Sequence, residues 1–192
     1  MKRTPLLVFV GVITLSAVEV GHGRECMGVS FPDQLQVEGS ALVLNGLGLR
    51  QATILEVDVY VAALYTATAS SDPDAILGST SSKQLVLHFV RNVGAADLNK
   101  AWEEGFEANA KAQLPALEER VETLKSWMAD MKTGERLTFT HKPGGGLQVD
   151  VGGTTKGTIK GDDFARAFLS IWLGAHPPNA GLKAGLLGGA CS

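Results

Sequence analysis

The sequence predicts an α+β domain in which helices cover a largely antiparallel β-sheet. Two observations carry this prediction. The elements follow one another as strands, two helices, strands and two helices, and apolar residues alternate in the strand segments but recur every three or four residues in the helical ones. The chain has 192 residues and shows no internal repeat or linker, so it has the length of one domain.

The start of the chain is typical of a secretory signal. Lys2 and Arg3 precede an apolar run over 6–18, and a short basic start followed by such a run is the pattern of a signal peptide. The run is too short for a comfortable membrane-spanning helix. We therefore expect a signal peptide over 1–25 and a domain over 26–192 that is periplasmic or secreted and meets the membrane only through the signal segment. An uncleaved anchor is the alternative.

The two cysteines lie near the two ends of the predicted mature chain. Export would place Cys26 and Cys191 in an oxidising compartment, where a disulfide between them is possible. Two separate thiols are the alternative. Their spacing gives no CxxC pair, which argues against a zinc or redox site.

The first half of the domain is predicted to consist of strands. Short apolar runs over 35–37 and 42–44 indicate two of them, and Asn45-Gly46 is a strong turn signal after the second. The segment over 54–65 is rich in Val, Tyr and Leu and alternates in part, which predicts a longer strand.

The next predicted strand, over 83–91, is apolar on both faces. Leu85 and Leu87 point one way, and Val86 and Val90 point the other way. A strand with two apolar faces is covered on both sides, so we expect it near the centre of the sheet.

Two helices follow in the middle of the chain. Asp97 is a suitable N-cap for a helix whose apolar stripe includes Leu98 and Trp102. Pro115 suits the first turn of the second helix. The stripe of that helix recurs at spacings of three and four residues through Leu117, Val121, Leu124, Met128 and Met131.

The last third returns to strands and ends in helices. Three strands are predicted to form a meander over 136–142, 147–151 and 156–160. Asp162 then caps a helix that ends at Gly174, and a short helix over 179–186 completes the domain.

Composition and motifs exclude several classes of protein. A formal net charge of −3 argues against a nucleic-acid binder, which needs a basic face. The four histidines are nowhere at the spacing of metal ligands, so we predict no metal site. The chain also lacks a phosphate-binding glycine loop and the nucleophile motif of hydrolases. These patterns indicate a globular domain without naming its chemistry.

Four segments, taken in order, resemble one family. They read N-G-L-G-L-R at 45–50, Y-V-A-A-L-Y at 60–65, W-E-E-G-F-E-A-N at 102–109 and G-T-I-K-G-D-D-F at 157–164. This set resembles the chalcone isomerase superfamily, and in particular its bacterial chalcone isomerase-like group, over nearly the whole predicted mature chain. The resemblance implies an open-faced β-sandwich whose large, mostly antiparallel sheet is covered by helices.

The resemblance carries over one catalytic residue of the plant enzymes. Arg50 matches the family's arginine, whose cation holds a phenolate and stabilises the enolate that develops during ring closure. The glycines beside Arg50 are expected to turn the backbone sharply and aim the arginine into the cleft. The other plant positions fall near Tyr60, Asp97, Glu104 and Ile171, where this sequence has different residue types.

The resemblance therefore implies a non-catalytic protein that binds a small apolar acid, either a fatty acid or haem. Arg50 would pair with the carboxylate, and Tyr60 would donate a hydrogen bond to it or ligate iron. Trp102, Phe106 and Asn109 share a helical stripe and either line the cleft or pack in the core. One alternative is an isomerase or intramolecular lyase that acts on an enone, with Arg50 as the electrostatic stabiliser. The other is a partner-binding module with an empty cleft.

Overall fold

The computed structural model describes residues 23–52 and 56–191. Most of the predicted signal peptide, residues 1–22, lies outside the described residues. The predicted boundary after residue 25 falls inside the first strand, β1 (Gly23–Cys26), which pairs with β2 (Val29–Pro32) from Gly23 onward. Residues 23–25 are thus part of the folded domain.

A seven-stranded antiparallel meander forms the large sheet, in which strands that are consecutive in the chain are neighbours. The strands are β3 (Gln34–Val37), β4 (Ser40–Ala52), β5 (Val57–Thr66), β6 (Lys83–Phe89), β7 (Arg136–Lys142), β8 (Gly146–Val151) and β9 (Thr154–Ile159). The strand predicted over 54–65 therefore begins at Val57 in the described part of the chain. The central position of β6 confirms the prediction made from its two apolar faces.

Helices cover one face of this sheet, which confirms the α+β class. They are α1 (Pro73–Gly78), α2 (Ala95–Ala110), α3 (Leu114–Ser126), α4 (Asp162–Leu173) and α5 (Ala180–Leu186). The sequence analysis did not predict α1, although Asp72 caps it by accepting hydrogen bonds from the N–H groups of Asp74 and Ala75. This short helix lies in the connection between β5 and β6.

Each face of the sheet has its own apolar core. Leu85, Leu87 and Phe89 of β6 face the helices, whereas Val86 and Val90 face the β1–β2 hairpin. The helix-side core is aromatic at its centre, where side chains of α2 and α4 meet the sheet: Trp102, Phe106, Phe139, Phe164, Phe168 and Trp172. The alternation predicted for β6 therefore assigns its side chains to the correct faces.

The predicted turn at Asn45-Gly46 is wrong. The chain runs straight through this pair inside β4, where the register shifts by one residue between Leu44 and Gly46. Asn45 is buried, and its amide Nδ2 donates to the carbonyl oxygens of Leu186 at 2.7 Å and Ser70 at 3.0 Å. Long-range partners for the amide thus override the local turn preference of the pair.

Two glycines of β4 allow α5 to lie directly on the strand. A Cβ atom at Gly46 would overlap the carbonyl oxygen of Gly185, and one at Gly48 would overlap the carbonyl oxygen of Leu182. The glycines around Arg50 therefore serve close helix packing rather than the sharp turn that we expected. Arg50 still extends from the same strand toward the helix-covered face.

Glycines replace the two predicted aspartate caps. Gly94 and Gly161 occupy the N-cap positions of α2 and α4, and Asp97 and Asp162 lie in the first turns. The side chain of Asp130 accepts a hydrogen bond from the N–H of Ala95 at 2.9 Å and so fills the role that Asp97 was predicted to have.

The second helix of the middle segment is shorter than its apolar stripe. Helix α3 ends at Ser126, so Met128 and Met131 lie beyond it. Met131 is nevertheless buried in the helix-side core, and its backbone forms an isolated β-bridge with Val93.

A disulfide joins Cys26 to Cys191, with the two Cα atoms 6.0 Å apart. It links β1 to the segment that follows α5. Both sulfurs belong to the core on the hairpin side of the sheet. Because α5 itself packs on the opposite face of β4, the chain crosses the sheet edge between α5 and Cys191.

A buried polar network ties β6 and β7 to the start of α4. Lys83 donates to the carbonyl oxygens of Ser79 at 2.6 Å and Ser81 at 3.1 Å, and its Nζ lies 3.5 Å from Nδ1 of His141. The other imidazole nitrogen, Nε2, lies 3.1 Å from Asp162 Oδ1. Burial lowers the pKa of Lys83 to about 8, so Lys83 remains mostly an ammonium at neutral pH.

Gly48→Ala tests the close approach of α5 to β4. The added methyl group would overlap the backbone of Leu182, so one element has to shift at a cost of about 1–3 kcal/mol. We expect a lower midpoint of thermal unfolding by circular dichroism. Gly78→Ala is the matched control, because its methyl group meets only Arg166 at 3.8 Å. An equal loss in both variants would contradict the packing argument.

The buried His141 makes the stability of the fold depend on pH. Burial is the largest effect on the pKa of His141 and lowers it, although the hydrogen bond with Asp162 opposes this. The folded state therefore binds fewer protons than the unfolded state, whose histidine has a pKa of about 6.5. We expect the free energy of unfolding, measured in urea, to fall as the pH drops below about 6.5. His141→Gln should show a shallower fall, and an unchanged slope would refute the assignment.

Candidate functional site

A cleft of about 530 Å³ opens between the sheet and the helices that cover it. Its walls come from the adjoining ends of β4 and β5, the loop after β6, helices α2 and α4, and the loop between α4 and α5. The volume is within the range of small-molecule sites. This cleft is the candidate functional site.

Strand pairing places Arg50 and Tyr60 side by side in the cleft. The two residues are directly opposite each other in the register of β4 and β5. Both side chains therefore extend from the same face of the sheet, the face toward the helices. Tyr60 is buried and Arg50 is half-buried. The predicted pair thus forms one end of the cleft wall.

Neutral groups hold the Arg50 guanidinium. Its Nη1 donates to the side-chain Oδ1 of Asn179 at 3.0 Å and to the carbonyl oxygen of Gln51. Across residues 23–52 and 56–191, no carboxylate comes within ion-pair distance of Arg50. Its positive charge is therefore held beside the cleft without a described acidic partner.

Tyr60 is held as a neutral phenol. Its hydroxyl oxygen accepts a hydrogen bond from Nε1 of Trp172 at 3.0 Å. Burial raises the pKa of Tyr60 to about 12, and the Trp172 hydrogen bond and the charge of Arg50 offset only part of that effect. The phenol therefore keeps its proton at neutral pH and has a hydrogen to donate.

The three predicted α2 residues have different surroundings. Trp102 lines the cleft and packs against the ring of Trp172 at 5.7 Å. Phe106 does not line it; its ring lies in the aromatic core, 5.8 Å from that of Phe164. Asn109 also lies outside the lining. The three residues share one stripe of α2, but a stripe runs along the helix axis. Its residues therefore lie at different positions along the helix and have different neighbours.

Asn109 holds a loop that forms part of the cleft wall. Its Nδ2 donates to the carbonyl oxygen of His176 at 2.9 Å, and its Oδ1 accepts from the backbone N–H of His176 at 2.9 Å. The loop that carries His176 and Pro178 is part of the lining. The amide of Asn109 therefore fixes a wall of the cleft through its backbone.

Two residues of the site were not singled out from the sequence. Asn179 was predicted only as the start of the last helix, and Trp172 only as part of the helix between Asp162 and Gly174. Each contacts a residue that was singled out: Asn179 accepts a hydrogen bond from Arg50, and Trp172 donates one to Tyr60. Both contacts join residues more than 100 positions apart, so no local pattern could have revealed them.

The positions equivalent to the plant catalytic set do surround this cleft. Asp97, Glu104 and Ile171 line it together with Arg50 and Tyr60. Asp97 and Glu104 are exposed, whereas Ile171 is buried. The arrangement brings a cation, a neutral hydroxyl and apolar side chains into one cleft, which can bind an anion and enclose an apolar group.

Two further properties concern the described residues alone. Across 23–52 and 56–191, no helix is long and apolar enough to cross a membrane. In the same ranges, no group of three or more His, Cys, Asp and Glu side chains is arranged to hold a metal ion.

Comparisons with known proteins agree with this architecture. The model of a family described as chalcone isomerase-like matches residues 23–188. Among solved structures, the fatty-acid binding protein AtFAP1 of Arabidopsis thaliana superposes with a TM-score of 0.64 and 18% sequence identity, over 83% of this chain and 92% of that chain. No curated protein matches the chain in sequence. Because the family match spans nearly all of the folded domain, this chain belongs to the chalcone isomerase-like family.

Proposed function

We propose that this domain binds a fatty acid or a similar apolar acid without transforming it. The observation that carries the proposal is the half-buried Arg50 guanidinium, which borders the cleft with neutral partners only. A cation removed from bulk water gains from an anionic partner, and a guanidinium matches the two oxygens of a carboxylate. Tyr60, directly opposite, supplies a neutral hydroxyl to the same headgroup.

The cleft also offers apolar surface for the rest of such a ligand. Val59, Leu98, Trp102 and Ile171 line it, and the last three are buried. An acyl chain that packs against these residues is removed from water, which favours binding by about 25 cal/mol for each Å² of apolar area that is buried. An acid with a polar body would gain much less from this lining.

The structural neighbour supports the same ligand class. AtFAP1 is described as a fatty-acid binding protein, and its fold matches over most of both chains. At 18% identity this likeness establishes the fold, so the ligand class assigned to the present protein depends on its own Arg50 and Tyr60.

Haem is a weaker candidate than a fatty acid. A tyrosine binds haem iron through its phenolate oxygen. Here burial raises the pKa of Tyr60 to about 12, and the Trp172 N–H already bonds the phenol oxygen. The residues of the cleft therefore fit an acid headgroup better than a tyrosine-bound iron.

An isomerase or intramolecular lyase is the second candidate, because Arg50 lines a cleft where it could stabilise an enolate. Such an enzyme also needs groups that position the enone and move a proton. The plant positions for this purpose hold Asp97, Glu104 and Ile171 here. The apolar Ile171 and the two exposed carboxylates favour the binding protein over the enzyme.

Substitution of Arg50 tests the carboxylate site directly. In isothermal titration calorimetry we expect Arg50→Ala to weaken binding of dodecanoate by at least about tenfold, because a hydrogen-bonded charge pair is lost. Tyr60→Phe should weaken it by about two- to tenfold through loss of one neutral hydrogen bond. Arg50→Ala should not change the affinity for dodecanol beyond about twofold, since the alcohol has no charge.

Arg91→Ala is the matched control for general positive charge, because Arg91 lines the same cleft but is exposed. Its effect should stay below about twofold. Equal losses for Arg50→Ala and Arg91→Ala, or no dodecanoate binding by the wild type, would contradict the proposal. Visible spectra and chalcone cyclisation assays on the same samples distinguish the rivals: a Soret band supports haem, and Arg50-dependent flavanone formation supports the enzyme.

We also propose that the protein is exported to the periplasm or secreted after removal of an N-terminal signal. The basic and apolar start of the sequence supports this, as does the Cys26–Cys191 disulfide, which persists in oxidising compartments. Arg24 contacts Asp33 at 3.5 Å and donates to the carbonyl oxygen of Leu44. We therefore place signal removal before Arg24, slightly earlier than the sequence alone predicted.

The mass of the exported protein tests this proposal. We expect an intact mass that corresponds to a chain without Lys2 and Arg3 but with Arg24, and a gain of two hydrogens on reduction because one disulfide opens. The cytoplasmic form of a variant that lacks residues 2–16 serves as the reduced reference. A full-length mass, or no mass change on reduction, would refute the proposal.

A further inference from the structure

Asn179 lies where α5 begins, yet its side chain does not cap that helix. Instead the amide pairs with the backbone of β4. Oδ1 accepts from the N–H of Gln51 at 3.1 Å, and Nδ2 donates to the carbonyl oxygen of Gln51 at 3.0 Å. Strand β3 pairs only with 40–43 of β4, so the amide provides at Gln51 the bonds that a further strand would provide.

The same amide oxygen also holds Arg50. Nη1 of Arg50 carries two hydrogens; one is donated to Oδ1 of Asn179 at 3.0 Å and the other to the carbonyl oxygen of Gln51. The remaining donors, Nε and Nη2, have no hydrogen-bond partner among the described residues. One edge of the guanidinium is therefore fixed by the protein, and the other edge is left for a ligand.

The edge that remains is the one that suits a carboxylate. Nε–H and one Nη2–H of a guanidinium point in parallel, at the spacing of two carboxylate oxygens. A guanidinium without internal partners would sample several rotamers, and a ligand would have to order it on binding. The bonds to Nη1 remove that freedom before the ligand arrives.

We infer that Asn179 is a positioning residue, which directs the Nε–Nη2 edge of Arg50 into the cleft while leaving its charge uncompensated. The inference rests on the proposed function, because it assigns how the carboxylate site is preorganised. Neutrality is the essential property of the amide. Aspartate has nearly the same shape, but its carboxylate would pair with the guanidinium and compete with the ligand for its charge.

Isothermal titration calorimetry of Asn179→Asp and Asn179→Ala, with dodecanoate and dodecanol as probes, tests this role. Asn179→Asp should weaken dodecanoate binding by at least about tenfold, since Arg50 gains a charged partner, and should leave dodecanol binding within about twofold. Asn179→Ala should weaken dodecanoate binding less, by about two- to tenfold, because it loses orientation without neutralising the charge. A merely structural role would lower the affinities for both probes alike.

A double variant that combines Asn179→Asp with Arg50→Ala completes the experiment. There, Asn179→Asp should have no further effect on dodecanoate, because the group that it acts through is gone. Thermal unfolding of each variant confirms that it is folded, and Asn179→Ala carries the test if Asn179→Asp does not fold. If wild type binds dodecanoate and Arg50→Ala does not, but the Asn179 variants keep the wild-type preference for the acid, the inference is overturned and the proposed function stands. If wild type does not bind dodecanoate, the proposed function itself fails.

Discussion

The close contact between α5 and β4 is the constraint on which the candidate site depends. Positions 46, 48 and 50 of β4 all face the helices, because side chains alternate along a strand. The first two are glycine, and α5 lies on their backbone with no room for a Cβ atom. The third is Arg50, whose guanidinium bonds Asn179 at the start of α5 and lines the cleft. Residues 46–50 of β4 thus set both the position of α5 and the position of the Arg50 guanidinium in the cleft.

Much of the fold follows from patterns that are local in the sequence. The alternation along β6 separated its side chains into two groups, which the structure places on the helix side and the hairpin side, because that period is imposed by the backbone itself. The Asn45-Gly46 pair shows where this reasoning fails. Its turn preference is strong but local, and the buried amide of Asn45 makes hydrogen bonds to Ser70 and Leu186 that a turn would lose. Such tertiary bonds are invisible to any window of a few residues.

The site was predictable in part for a similar reason. Arg50 and Tyr60 were identified through resemblance, and strand pairing brings them together. Asn109 was predicted either to line the cleft or to pack in the core, and its amide binds the backbone of His176. Asn179 binds the backbone of Gln51 in the same way. When a side chain binds a backbone peptide group, its partner can be of any residue type. The residue types in the sequence therefore do not reveal the contact. The helical period likewise fixes direction around the axis and not depth along it, so Phe106 lies in the core while Trp102 reaches the cleft.

The same arginine can serve a binding protein or an enzyme, and the proposal of a binding protein rests on its surroundings. An enzyme gains rate only from contacts that are stronger in the transition state than with the substrate, and a group that moves a proton works best when its pKa lies near the operating pH. Here the hydroxyl of Tyr60 is fixed by Trp172 and held protonated by burial. Asp97 and Glu104 are exposed and therefore hydrated. A permanent cation beside a neutral donor stabilises an anion that is already formed, which is the requirement for holding a carboxylate.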